Sequence, residues 1–167
     1  LTFTTGNWNA VQTARITGQS DALQDGNIGY TIQITTDSSD GAYDALNPAD
    51  LSFTNVDDDT VGITVSAGSN LLTGEGGDFS EFDVVLNSQP TNTVEVCLDS
   101  TDTGEGIVDI ANSDAVAVVN CTTDAQLTFT TGNWNAVQTA RITGQNDSLQ
   151  DGNIGYTIQI TTDSSDG

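Results

Sequence analysis

Three adjacent carboxylates, Asp57, Asp58 and Asp59, stand between two apolar runs, Leu51 to Val56 and Val61 to Val65. In water each such pair repels by roughly 1 kcal/mol, and by more where solvent is partly excluded. Calcium relieves that repulsion, because it takes about 6 to 8 oxygen ligands from carboxylates, carbonyls and water in forgiving geometry. Further acidic loops offer the same chemistry: Asp21 and Asp25, their copies Asp147 and Asp151, the pair Asp102 and Glu105, and Glu75 within Gly74-Glu75-Gly76-Gly77. A solvated acidic rim of the halophile kind explains diffuse charge but not charge clustered at strand ends. The outer faces of the strands are instead rich in Thr, Ser and Gln, so calcium at these ten residues is the expectation.

Other chemistries find little support. The chain has no His, which removes Ser-His and Cys-His nucleophiles, and no Lys, which removes Lys-to-Asn isopeptide staples. Asp102-Thr103-Gly104 matches the active-site triplet of aspartic proteases, where two carboxylates share a proton. It occurs once per period, in an acidic loop without the apolar flanks of such sites. A carboxylate pair would suffice for a glycosidase, but nothing in the pattern points to a deep cleft. No enzymatic activity is expected.

The elements that must position these acids repeat. Residues 1–41 recur as 127–167 with two differences, Ser20 against Asn146 and Ala22 against Ser148. The period of 126 residues is too long for a solenoid unit and suits an independent module. The sequence opens and closes inside one pattern, with no initiator Met or signal peptide before Leu1, so a longer polypeptide of many such units is expected. One period carries 16 Asp and 4 Glu against the single Arg15, a net charge of −19. Such a field repels nucleic acid and anionic membranes, and neighbouring copies too, unless cations intervene.

Cys97 and Cys121 lie in one period, outside any C-x-x-C spacing, so a disulfide is expected over zinc or redox chemistry. A disulfide implies an oxidising, extracellular or cell-surface setting. Asn120-Cys121-Thr122 and Asn146-Asp147-Ser148 would accept glycans at Asn120 and Asn146 there. No apolar run approaches membrane-spanning length, so this segment is expected to be soluble and not inserted in a membrane.

Alternation with a period of two runs through the chain: Ile28, Tyr30, Ile32 and Ile34; residues 154–160; Leu1 and Phe3; Ala14 and Ile16; Leu51 and Phe53; Val61, Ile63 and Val65; Phe82, Val84 and Leu86; Val94, Val96 and Leu98. Around seven short strands per unit, each with one apolar face, pack naturally as two sheets. Trp8 and Trp134, each between two Asn, suit either a sugar platform or a cap on the core, and a lone Trp favours the cap. Cys97, opposite in phase to Val96 and Leu98, is expected to point away from the core. Its bridge to Cys121 would pin a surface insertion spanning residues 107–126, with a hairpin at Ala115 to Val119.

Leu-Thr-Phe-Thr, Asn-Trp-Asn, Gln-Thr-Ala-Arg-Ile-Thr-Gly, Asp-Gly-Asn before Tyr-Thr-Ile, Phe82-Asp83-Val84-Val85-Leu86-Asn87 and the closing Asp57-Asp58-Asp59 together resemble the Calx-beta repeat family over the whole period. That resemblance implies an all-β, immunoglobulin-like, seven-stranded Greek-key sandwich, in tandem, binding calcium at the end that meets the next module. Carried over by position, the family's ligands fall on Glu75, Asp102, Asp147, Asp151 and the triple Asp. The insertion at Asp109 to Asp124 and the cysteine pair depart from the family pattern.

Residues 1–58 are then the later half of one repeat, and residues 59–167 the first and central part of the next. The expected function is a structural repeat of an extracellular filament or adhesin stalk, its joints stiffened by Ca2+ and its partners further copies of itself. The alternative is a carbohydrate- or ligand-binding adhesin module, with Trp8, Tyr30 or the 107–126 insertion as the contact surface and glycans as partners.

Overall fold

A computed structural model describes residues 1–110 and 125–164. The described residues form nine strands: β1 Ile28–Ile32, β2 Leu51–Asn55, β3 Ile63–Ala67, β4 Phe79–Leu86, β5 Val94–Ser100, β6 Gly106–Ile110, β7 Ala125–Phe129, β8 Gln138–Gly144 and β9 Ile158–Ser164. Every strand pair is antiparallel. No helix among the described residues is long and apolar enough to cross a membrane. The protein is all-β, and its chain divides into two compact units, Leu1–Asp21 with Asp25–Asp58, and Ala22–Gln24 with Asp59–Gly167.

The second unit holds two sheets, one of four strands in the order β3-β4-β8-β6 and one of three in the order β7-β5-β9. Their inner faces follow from the alternation. Phe82, Val84 and Leu86 of β4 are buried while Asp83 and Val85 between them are not. Val96 and Leu98 of β5, Leu127 and Phe129 of β7, and Ala140 and Ile142 of β8 join them in one core, with Val108 of β6 and Ala125. Two antiparallel sheets therefore close over a shared apolar layer, as in a β-sandwich. Trp134 packs against that core, and its carbonyl accepts the Leu86 N–H at 3.2 Å.

The first unit holds a two-stranded sheet, β1 against β2, with Ile28 opposite Asn55, Tyr30 opposite Phe53 and Ile32 opposite Leu51. Tyr30 and Phe53 stack with ring centroids 5.8 Å apart. The strands anticipated at Leu1 to Phe3 and Ala14 to Ile16 are absent, although their copies form β7 and β8. The cause is pairing. A strand persists only where a ladder partner satisfies its backbone; β7 pairs with β5, and β8 with β4 and β6, strands that occur once in this sequence. Leu1 is 77% exposed where Leu127 is 1% exposed, and Phe3 is 56% exposed where Phe129 is fully buried.

Two further expectations change. Cys97 lies opposite Gln126 and Thr161, off the shared core, yet it is buried, as is Gln126, so this outer sheet face is covered at that point. Residues Gly106–Ile110, assigned largely to the insertion, are strand β6, with Val108 in the core and Ile110 opposite Ala140. At its other end Ala125 and Gln126 open β7. Alternation in a strand this short, bordering an irregular acidic stretch, is too brief to read from sequence. Cys97 is disulfide-bonded. Cys121, Asn120 and the Ala115 to Val119 hairpin lie outside the described residues.

Candidate functional site

Three connections of the second unit carry the acids. Between β3 and β4, Gly74 and Asp78 bridge across a turn closed by the Gly77 N–H on the Gly74 carbonyl at 2.9 Å, and Glu75 rides on it. Gly77 has a φ of 88°, which suits only glycine well. This turn presses on the end of β8: a Cβ on Gly144 would collide with the Gly74 backbone, and the Gly144 N–H donates to the Asp78 carbonyl at 3.0 Å.

Between β5 and β6 the chain is folded around Asp102. Its carbonyl accepts the Gly106 N–H at 3.1 Å and the Ser100 hydroxyl at 3.1 Å, and its Oδ1 accepts the Gly104 N–H at 3.0 Å. The Glu105 carbonyl accepts the Gln145 N–H at 2.9 Å, which ties this loop to the β8–β9 connection. There Asp147 Oδ1 takes the Leu149 N–H at 2.8 Å, and Ser148 and Gly152 turn the chain with φ of 66° and 85°.

The result is a cluster. Carboxylate oxygens of Glu105, Asp147 and Asp151 all lie within 4.8 Å of one another, Glu105 half-buried and the two aspartates exposed. The Glu105 carboxyl is held above its ordinary value, first by desolvation, then by the negative charges of Asp151, Asp147, Asp102 and Glu75. Five carboxylates thus share one field, and three of them lie close enough together that they could hold a metal ion. The unit's arginine is engaged elsewhere: Arg141 pairs with Glu81 at 2.7 Å and lies 4.1 Å over the Phe79 ring.

The remaining anticipated ligands are distributed differently. Asp21, Asp25, Asp57 and Asp58 belong to the first unit, and Asp59 to the second. In the first unit Asp57 Oδ2 accepts the Gly26 N–H at 2.7 Å, and the Asp57 N–H donates to Asn27 Oδ1 at 3.0 Å, so Asp57 clasps the turn Asp25-Gly26-Asn27. Among the described residues no other group of three such side chains comes together. Asn146 is exposed and accepts the Ser148 N–H at 3.0 Å.

An apolar cleft of about 780 Å³ adjoins the cluster, and its lining includes both Glu75 and Glu105. Val65, Leu72, Phe82, Ile142 and Tyr156 form much of its wall. Tyr156 lies over Gly106, where any Cβ would strike the ring, and its hydroxyl meets Thr73 Oγ1 at 2.6 Å. Sequence reasoning missed this cleft, since it follows from which strands lack neighbours rather than from any motif.

No family model, no curated protein and no solved structure matches the chain.

Proposed function

We propose that the protein is a calcium-stiffened structural repeat of an extracellular filament or adhesin stalk. The observation that carries the reading is the meeting of Glu105, Asp147 and Asp151, from two separate loops, within 4.8 Å of one another. Two oxygens each about 2.4 Å from one calcium ion can stand at most about 4.8 Å apart, so the spacing fits a shared ion of that size. Glu75 and Asp102, whose charges reach Glu105, extend the donor set, and loop carbonyls and water complete such a shell. In this reading the sandwich is an immunoglobulin-like Greek-key module of Calx-beta type, and the motif resemblance supports it.

The mechanism is electrostatic. Loops clasped by one divalent ion lose their mutual repulsion and hold one arrangement, and near-identical copies in series then form joints of one geometry. The disulfide at Cys97 and the acidic, Lys-free composition favour an oxidising, cation-rich setting outside the cell. Electron micrographs of concatenated 126-residue units, in millimolar calcium and in EDTA, test this: the reading requires straight rods in calcium and bent, variable chains after chelation. Equal curvature in both buffers would remove it.

A further inference from the structure

The copies 1–41 and 127–167 differ at two positions only, and both fall in one triplet: Ser20-Asp21-Ala22 in the first copy is Asn146-Asp147-Ser148 in the second. Those two substitutions are the pair that separates an ordinary loop from an N-x-S acceptor of N-linked glycan. A single such triplet arises easily by chance. Two differences that both land on its two defining positions, in 41 aligned residues, do not. The structure presents the triplet as an acceptor requires. Residues 146–150 of the β8–β9 connection are all exposed. Exposure belongs to the position and not to one copy, since Ser20 is exposed as well. Asn146 Oδ1 accepts the Ser148 N–H at 3.0 Å, a turn that folds the third residue back toward the amide of the first. That bond fixes which end of the amide is oxygen. It leaves Nδ2, the atom that carries an N-glycan, facing solvent with no partner among the described residues. The first copy makes no such turn, its Ser20 hydroxyl donating instead to the Asp21 carbonyl at 3.4 Å.

We propose that Asn146 carries an N-linked glycan and that this modification distinguishes the two copies, the second glycosylated and the first bare at the same position. The co-substrate is a lipid-pyrophosphate-linked oligosaccharide. Asn146 Nδ2 forms a bond to the anomeric carbon of the first sugar, and the bond from that carbon to the pyrophosphate oxygen breaks. Nδ2 gives up one proton, and the lipid pyrophosphate leaves. The glycan is bulky and hydrated, and the exposed β8–β9 connection gives it room. Its attachment spares the acidic cluster, because Asn146 keeps Oδ1 for the Ser148 N–H, and Asp147 stays fixed by the Leu149 N–H on its own Oδ1 at 2.8 Å. The glycan rests on the extracellular setting proposed for the protein and not on the ion.

Mass spectrometry of the full chain tests it. Trypsin cuts after Arg141, and the peptide beginning at Ile142 holds Asn146 as the only acceptor triplet within 142–167, apart from the one at Asn120. The chain is secreted from a eukaryotic host that supplies the transferase and its donor, then digested and treated with peptide N-glycosidase in heavy-oxygen water. The expected result is a heavy-oxygen aspartate at position 146 in the wild type, and none in Asn146→Gln or in Ser148→Ala. Ser20→Asn combined with Ala22→Ser should add a second labelled position in the first copy. No label at position 146 in the secreted wild type overturns the proposal, as does a label that persists in Ser148→Ala. A double variant without the second label overturns the claim that the triplet separates the copies. The same digest of the protein from its native source tells the two readings apart: an extracellular chain bare at Asn146 removes the glycan alone, whereas a chain found inside the cell removes the glycan and the extracellular setting together. Failure of calcium to bind a chain that carries the glycan supports the glycan and removes only the ion reading.

Discussion

Glu105 and Asp147, delivered by the β5–β6 and β8–β9 connections, bring carboxylate oxygens within 4.8 Å of each other. At that separation two full negative charges repel each other, and the Glu105 carboxyl is held above its ordinary value. The fold holds them there through backbone bonds rather than through countercharge, notably the Gln145 N–H on the Glu105 carbonyl. The metal-free protein is therefore strained electrostatically at this end.

Glu105→Gln should stabilise the metal-free chain and weaken calcium binding at once. The sign follows from the raised pKa: in EDTA the Glu105 contribution is fully present below its ordinary value of 4.5 and is lost as pH rises through the higher folded value. The melting temperatures of wild type and Glu105→Gln in EDTA should thus coincide near pH 4.5 and separate above it, with the variant higher. In calcium the order should invert, since the ion favours the carboxylate. Parallel melting curves at all pH values would refute this assignment.

Phe129→Ala and Phe3→Ala alter the same residue of the repeated segment, with opposite consequences. Phe129 is fully buried, so its truncation should cost about 3–5 kcal/mol. Phe3 is 56% exposed, and its truncation should change stability by less than about 0.5 kcal/mol. Urea unfolding followed by Trp fluorescence compares them, and equal losses would contradict the division of the chain.

Gly144→Ala should loosen the Glu75 turn, because the added methyl meets the Gly74 backbone. Relief requires the turn to shift, at a cost of about 1–3 kcal/mol. Calcium affinity should fall with stability, measured by titration and by thermal melting together; a variant with both values unchanged would show that the turn does not depend on this approach.

Cys97→Ser should lower stability by about 2–5 kcal/mol, the usual loss for a native bridge in a small module. Its burial beside Gln126 adds to the effect, since a hydroxyl replaces a disulfide in a covered place. Guanidinium unfolding of oxidised wild type and variant reads this directly, and coincident curves would show that the bridge contributes nothing.

Much of this arrangement was legible in the sequence. Alternation at Phe82-Val84-Leu86 and Val96-Leu98 named core positions correctly, because a strand buried on one face writes its period into the residues. Of the ten acids expected to gather, Glu75, Asp102, Asp147 and Asp151 share one field with Glu105, whereas Asp21, Asp25, Asp57 and Asp58 belong to the other unit and Asp59 is not among the group of three. What the sequence hid was context. Leu1 and Leu127 are followed by the same 18 residues, yet one is in solvent and the other in the core, since only pairing with β5 decides which. The cleft beside Tyr156 likewise depends on residues distant in sequence, and no local pattern records it.

The central claim is most directly tested by calorimetric titration of calcium into the full chain and into Asp151→Asn, with thermal melts of each. The account predicts saturable binding that raises wild-type stability by about 2.7 kcal/mol at a hundredfold excess over Kd, reversed by EDTA and largely lost in Asp151→Asn. Absence of binding heat together with an unchanged melting temperature in saturating calcium would contradict it.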